Sequence, residues 1–418
     1  MIIGHGHKEG LISSDEVRRF SKQALDSLDL DGKRVLALIP DSTRTAPVGL
    51  MFRTLADLLA GRAAKLDFLI ALGTHMAMSE ERILRLLDMD ARERRKRYGN
   101  VGVFNHAWSD PKALKVIGTL SAAEMERLSE GRFAKDVPVE INRMIFDYDH
   151  LLIVGPTFPH EVVGFSGGWK YFFPGIAGPE IINFFHWLGA LVTNWKINGV
   201  KDTVVRRVIN RAASFLKQPV TNFDLVVTSE GLKGLYIGDP KAAWSAAADL
   251  SAQIHVKYLD RPYRTVLGIA PEMYDDIWTA GKVMYKLEPI VEDGGELIIF
   301  APHITEVSYT HGKVLDRIGY HCLDYFREQM DKFSDIPGGV MAHSTHVRGI
   351  GTYCKGVETP RVRVTLATGI PEKRCRQINL GYRDPASIRP AEWEGREAEG
   401  ILVVHHAGEV LHRLTSEK

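Results

Sequence analysis

Three short apolar runs constrain this chain most. They are Arg34-Val-Leu-Ala-Leu-Ile-Pro40, Leu66-Asp-Phe-Leu-Ile-Ala-Leu-Gly73 and Leu151-Leu-Ile-Val-Gly155, and each breaks off into a polar or glycine-rich segment. Uninterrupted runs of this length, separated by helix-sized stretches such as residues 48 to 61, are the pattern of strands buried on both faces and layered with helices. The fold class is therefore α/β. Ligands of open α/β sheets bind beyond the carboxyl ends of the strands, so the segments after Pro40, Gly73 and Gly155 are expected to emerge on one edge.

At 418 residues the chain is too long for one ordinary core, so two α/β domains are expected, with a ligand cleft between them. The first is read as residues 1-260, and the second as residues 261-418, closing over a substrate. In the second, Tyr263 to Ala270, Gly295 to Ala301 and Arg361 to Ala367 read as strands, with Tyr274 to Leu287 as a helix. Gly400 to His405 is a further strand that pairs with either domain.

With 53 Lys+Arg against 52 Asp+Glu the formal charge is +1, which gives no global field for nucleic acid or an anionic membrane. The N-terminus lacks the apolar core of a signal peptide, and no uncharged run approaches the roughly 20 residues that span a bilayer, so a cytoplasmic protein is expected. Its three cysteines, Cys322, Cys354 and Cys375, are too scattered for a disulfide framework or a Cys-x-x-Cys metal knuckle. A bound metal would need histidine or an imported sulfur ligand.

The chemistry concentrates in His160-Glu-Val-Val-Gly-Phe-Ser166-Gly167-Gly168-Trp-Lys170-Tyr-Phe-Phe-Pro174-Gly175, followed by His186. A turn with so little side chain lets backbone N–H groups approach an anion, and a lysine just beyond it can act as a point charge or a nucleophile. Gly164 lies six residues before Lys170, as in a G-x-x-x-x-G-K-[ST] phosphate loop, but Trp169 replaces the second glycine and Tyr171 the magnesium-binding hydroxyl. A nucleotide triphosphatase is not expected. Pro179 opens a helix that carries His186 in its second turn.

This run resembles the G-F-S-G-G-x-K-x-x-x-P-G signature of the lactate racemase family, the nickel-pincer-nucleotide enzymes. The resemblance implies that Lys170 carries the cofactor, a pyridinium-3-thioamide-5-thiocarboxylic acid mononucleotide holding Ni, with Ser166, Gly167 and Gly168 beside it. It further implies that His160 is a catalytic acid/base and His186 the fourth nickel ligand. Asp41-Ser42-Thr43-Arg44 is similar to the family's D-x-T-R motif, which holds the substrate carboxylate, and Gly73-Thr74-His75 to the segment supplying the second catalytic histidine. Trp278-Thr279-Ala280-Gly281-Lys282 resembles the segment whose lysine reaches the substrate from the second domain. The family's lactate enzymes have glutamine in place of Thr279, histidine in place of Ser42 and proline in place of Thr45, which puts the substrate in doubt more than the reaction. The implied activity is inversion of C2 of a small 2-hydroxy acid by transient hydride transfer, with cofactor-building enzymes as partners in maturation.

Plainer readings stand beside these. Asp41 and Arg44 could form a local salt bridge, Gly164 to Gly168 could be a simple bend, and Lys282, Lys286 and Glu288 could form the solvated face of an amphipathic helix. With 16 histidines most must be structural, so His106, His303, His311, His343 and His346 stay unassigned. Two other functions compete: a divalent-metal hydrolase or dehydratase built on His75, His160 and His186, and a non-catalytic sugar-acid binding protein. Polar residues from Ala301 to His311, with Ser42 and Thr279, point to a longer hydroxy acid such as an aldonate.

Overall fold

A computed structural model describes residues 1–418. Backbone contacts divide it into two compact units: Met1–Phe158, Phe165–Ile182 and Arg206–Gln253 form the first, and Pro159–Gly164, Asn183–Val205 and Ile254–Lys418 the second.

The first unit is built on seven strands: β1 (Ile3–Gly6), β2 (Arg34–Ile39), β3 (Lys65–Ile70), β4 (Gly102–Asn105), β5 (His150–Pro156), β6 (Val220–Thr228) and β7 (Gly231–Gly238). Their order is β1-β7-β6-β5-β2-β3-β4. The run β6-β5-β2-β3-β4 is parallel throughout, and β7 joins β6 as an antiparallel hairpin. From β2 the chain adds strands in one direction, and from β5 in the other. The carboxyl ends of β2 and β5 therefore flank the topological switch point, where doubly wound sheets hold ligands. Val35 to Ile39 and Leu151 to Val154 are buried, as expected of central parallel strands.

The second unit has an all-parallel sheet of β8 (Tyr263–Ile269), β9 (Val291–Ala301), β10 (Arg363–Thr368), β11 (Gly381–Tyr382) and β12 (Ile401–Val404), in the order β11-β10-β9-β8-β12. The strand expected near residues 400 to 405 thus pairs with β8 of this unit. Each unit has its own apolar core. No helix is long and apolar enough to cross a membrane.

A single boundary near residue 260 does not describe this division. Two earlier segments group with the second unit because that unit satisfies their backbone. The Lys286 ammonium donates to Pro159 O, and the Asn194 and Asn198 amides donate to Tyr285 O at 3.2 and 3.0 Å. Arg413 donates to Trp195 O and Asn198 O, each at 2.8 Å. His160 and His186 consequently lie in the second unit and Lys170 in the first.

The helix expected over Tyr274 to Leu287 is two helices, Ile277–Ala280 and Lys282–Leu287, meeting at Gly281. A Cβ there would stand 2.8 Å from both the Tyr285 hydroxyl and Val347 Cγ2, so packing requires glycine at the joint. The solvated-face expectation is overturned: Lys282, Lys286 and Glu288 are 8%, 2% and 1% exposed.

Candidate active site

In the first unit the chain leaves β2 and turns at the buried Asp41, whose Oδ1 accepts the Thr43 N–H at 3.1 Å and the Thr43 hydroxyl at 2.7 Å. Its Oδ2 lies 2.5 Å from His75 Nδ1, just after β3. A carboxylate at that distance fixes the imidazole tautomer: Nδ1 carries the hydrogen and Nε2 presents its lone pair. Burial acts to raise the Asp41 pKa, yet the charge and hydrogen bond of His75, with Thr43 and Arg44, hold it well below the usual carboxylate range. Asp41 was expected to bind substrate. In the structure its oxygens serve Thr43 and His75.

Arg44 is half-buried, and its charge acts on both Asp41 and Tyr171. Tyr171 follows Lys170 directly and is buried, which pushes its phenol well up. Its hydroxyl occupies the space a side chain on Gly155 of β5 would take, since a Cβ there would fall 1.6 Å away. Farther along, Gly73 N–H donates to Gly175 O at 2.9 Å, tying the end of β3 to the end of the lysine motif. Asp41, Arg44, His75 and the lysine turn are thereby brought to one place by the ends of β2, β3 and β5.

The turn itself is held from beneath. Gly167 and Gly168 have φ of 84° and 57°, and a Cβ on Gly167 would stand 2.2 Å from Thr157 Oγ1 and 2.5 Å from Asp224 Oδ1. Both conformation and space demand glycine. Ser166 Oγ donates to Pro156 O at 2.9 Å and accepts the Phe158 N–H at 2.8 Å, so its hydroxyl pins the loop to the end of β5. Trp244 Nε1 donates to Ser166 O at 2.8 Å. The buried Arg206 donates to Gly167 O and Phe165 O, and its guanidinium carbon sits 4.1 Å from the Trp244 ring centroid. Asp224, fully buried on β6, accepts the Thr157 hydroxyl at 2.9 Å and the Asn222 amide. Burial pushes its carboxyl up to about 7, against the pull of Thr157, Asn222, the Gly168 N–H and Arg206. Lys170 stands half-buried on the short 3₁₀ turn Gly168–Tyr171 above these groups.

In the second unit, His160 is 5% exposed and His186 is half-buried on the helix Pro179–Val192. Nδ1 of His160 accepts the Val162 N–H at 3.1 Å, and Glu161 Oε2 lies 3.4 Å from the same nitrogen. A second helix, Gly338–Arg348, packs close to the His186 helix: Gly339 N–H donates to Asn183 Oδ1 at 3.0 Å, and a Cβ on Gly339 would be 3.9 Å from His186 Cβ. Gly339, His343 and His346 share one face of it by their spacing of four and then three residues. The His343 ring pairs with the Tyr285 hydroxyl at 2.8 Å and the Tyr320 hydroxyl at 3.1 Å, and stacks on Trp278 with centroids 4.2 Å apart. His346 is buried beside Tyr285 and senses Glu161 and His186; burial lowers its pKa to about 4.

Thr279 and Lys282 were both expected to contact substrate. Thr279 is buried, its N–H donates to Asp276 Oδ1 at 3.0 Å, and its hydroxyl lies 2.9 Å from the same oxygen, so Asp276 caps the helix through it. Lys282 Nζ sits 4.6 Å from the centroid of the Tyr274 ring. Glu161, Asp224, Arg206, Trp244, His343 and His346 were not found from sequence. The local signals that existed were the acid next to His160 and two histidines three residues apart on a helix.

No group of three or more His, Cys, Asp or Glu side chains that could hold a metal ion is found. Cys322 and Cys375 are buried, which pushes both thiols up to about 11, and Cys354 is exposed.

A family model for the lactate racemase N-terminal domain matches residues 18–197. The lactate racemase of Thermoanaerobacterium thermosaccharolyticum is 27% identical over 183 residues, which is 42% of this chain and 38% of that enzyme, so the match spans about two fifths of the relative's length. Among solved structures, a protein from Thermotoga maritima is 34% identical with a TM-score of 0.90, covering 98% of this chain and 100% of the other. The lactate racemase apoprotein from Thermoanaerobacterium thermosaccharolyticum is 16% identical with a TM-score of 0.71, covering 99% of this chain and 100% of the other, and shares its fold.

Proposed function

Because the chain belongs to the lactate racemase family, we propose that it is an isomerase, a racemase or epimerase that inverts C2 of a 2-hydroxy carboxylate. The observation that carries this proposal is the pairing of the buried Asp41 with the half-buried His75 next to Arg44 and the lysine turn: a proton acceptor of fixed tautomer beside a cation suited to a carboxylate.

The hydrogen on C2 of an ionised 2-hydroxy acid is a very weak acid, so inversion by proton abstraction is unfavourable. Moving it as hydride avoids the carbanion, and the hydroxyl proton must then leave at the same time. His75 accepts that proton at Nε2 while Asp41 retains the hydrogen on Nδ1. His160 serves the opposite stereoisomer. Arg44 grips the carboxylate through two parallel N–H···O bonds and so fixes C2.

The hydride acceptor, in this proposal, is a nickel-pincer nucleotide joined to Lys170, which when bound supplies reversible hydride acceptance, with His186 as the imidazole donor to nickel. This chain's groups suit such a cofactor. Lys170 is half-buried on a turn that Gly167 and Gly168 let pass close to Thr157, Asp224 and Trp244. Ser166 shapes the turn, with its hydroxyl already engaged.

For the substrate we keep the longer hydroxy acid, such as an aldonate. Ser42 and Thr279 no longer support it, because Ser42 Oγ accepts from Arg82 at 3.2 Å and Thr279 is bound to Asp276. The support is the polar stretch from Ala301 to His311, whose His311 ring lies 4.4 Å from Trp278. The test is to produce the protein with the cofactor-building enzymes, confirm a Lys170 adduct by peptide mass, and screen lactate and aldonates for inversion at C2. A fully loaded protein that neither inverts nor exchanges hydrogen with any of them would leave the sugar-acid binding protein as the better function.

A further inference from the structure

The two candidate acid/base histidines are held in opposite tautomers. Asp41 sits on Nδ1 of His75 and requires a hydrogen there, leaving a lone pair on Nε2. Val162 N–H donates to Nδ1 of His160, so in the neutral ring that nitrogen holds the lone pair and the hydrogen is on Nε2.

The His160 arrangement is a resting one. In the tautomer selected by Val162, Nε2 has no lone pair with which to act as a base. Giving up its hydrogen as an acid would leave an imidazolate. Proton exchange at Nε2 therefore requires a hydrogen on Nδ1 throughout. As a base, His160 with its hydrogen on Nδ1 takes the hydroxyl proton on Nε2 and becomes imidazolium; as an acid, the imidazolium returns the Nε2 proton and keeps the one on Nδ1. That retained hydrogen needs an acceptor, and Val162 N–H, a donor, cannot be one.

We propose that Glu161 is the positioning residue of His160, accepting the Nδ1 hydrogen in the working state as Asp41 does for His75. This deepens the assignment of His160 as an acid/base and rests on it. Glu161 Oε2 lies 3.4 Å from Nδ1, against 3.1 Å for the Val162 nitrogen, so a small turn of the ring exchanges one partner for the other. The Glu161 side chain is 17% exposed and that of His160 is 6% exposed, so their attraction is only partly screened by water. Polar groups of the same unit near the pair include the Lys286 ammonium on Pro159 O, and Tyr285 and His346, which both sense the Glu161 charge. The two histidines thus differ in readiness. His75 is held permanently in its working tautomer, whereas His160 reaches its own only when Glu161 replaces a backbone amide.

The experiment compares wild type with Glu161→Gln and Glu161→Asp. In protein labelled with ¹⁵N-histidine, without cofactor, the His160 ring nitrogens are followed through a pH titration. Glutamine should lower the midpoint of His160 by on the order of one pH unit, through loss of a neighbouring negative charge, and aspartate should restore most of it. In cofactor-loaded protein, Glu161→Gln should lower kcat about 10-fold or more with KM little changed, and Glu161→Asp should recover part of it. An unchanged His160 midpoint in Glu161→Gln overturns the pairing whatever the enzyme's activity. A shifted midpoint with unchanged kcat in an active enzyme overturns the positioning role. If loaded wild type proves inactive on every 2-hydroxy acid while the midpoint still shifts, the functional proposal fails and the Glu161–His160 pairing stands.

Discussion

Lys170, on the 3₁₀ turn Gly168–Tyr171, and Lys282, which opens the helix Lys282–Leu287 just after Gly281, both stand on short helical turns, yet the two units hold them in opposite ways. Around Lys170 the buried polar groups are other residues: Arg206, Trp244 and Asp224 grip the backbone and side chains of the turn, and the lysine stands half-exposed above them. In the second unit the lysines are themselves buried. Lys282 lies against the Tyr274 ring, and Lys286, one turn later, donates to Pro159 O and to Asn198 Oδ1 at 3.3 Å. The backbone around Lys170 is held by neighbouring side chains, whereas Lys286, buried on Pro159 O, is itself part of what holds its unit together.

The sharpest test of that contrast is Lys170→Ala. It should abolish the covalent adduct and all turnover while costing less stability than removal of the more deeply buried Lys286. Mass spectrometry and urea titration read the two sides, and an active protein with unmodified Lys170 breaks the comparison. Next in size is Asp41→Asn, which should leave the adduct in place but lower kcat by roughly 10²- to 10⁴-fold, because His75 loses the carboxylate that fixes its tautomer. Lys286→Ala should do the reverse of Lys170→Ala: about 1–3 kcal/mol of stability lost through unsatisfied acceptors at Pro159 and Asn198. Lys282→Ala should keep nickel and adduct and reduce kcat/KM by on the order of 2 kcal/mol, if its ammonium turns from Tyr274 to substrate. Equal stability losses at 282 and 286 would make both lysines structural.

The smallest expected effect is on acid stability. Burial lowers the pKa of His343, His346 and His412 in the second unit, the last two to about 4, and of His106, to about 4, and His150 in the first. A histidine whose folded pKa is depressed contributes stability that is present above about 6.5 and lost as pH falls toward the folded value. Each unit also holds one buried carboxyl raised to about 7, Asp224 and Glu288, whose contribution runs the other way and strengthens as pH falls from 7. Asp276 in the second unit and Glu140 in the first are raised as well, so the carboxyls largely offset one another, and the third histidine with a lowered pKa should make the second unit the more acid-labile. Hydrogen exchange resolved by unit at pH 7 and pH 5 measures it.

What could be read from the sequence follows from which strands are buried on both faces. Arg34 to Ile39 and Leu66 to Ile70 form nearly continuous apolar runs because they are central and parallel, and their polar sequels land at the strand ends. The hairpin β6/β7 escaped notice because buried polar residues, Asn222, Asp224 and Lys233, interrupt it. Asn222 and Asp224 lie beneath the lysine turn, so part of what hid the strand supports that turn. Lys286 was misjudged for a different reason. The partners that bury it, Pro159 and Asn198, are distant in sequence, and a helical pattern carries no information about them. The same holds for the division into units, which follows long-range backbone hydrogen bonds.

The order in which ribosomes deliver the chain gives the interleaved division a further consequence. Every segment of the first unit has been made once Gln253 is translated, including the strands, Asp224 and Trp244 that support Lys170. The segments bearing His160 and His186 must still wait for Tyr285, the helix beginning at Gly338 and Arg413, the last only a few residues before Lys418. Domains fold largely as units while synthesis proceeds. Nascent chains arrested near residue 300 should therefore present a protease-resistant lysine turn and protease-sensitive excursions at 159–164 and 183–205, with the Lys170 turn assembled long before the segments bearing His160 and His186.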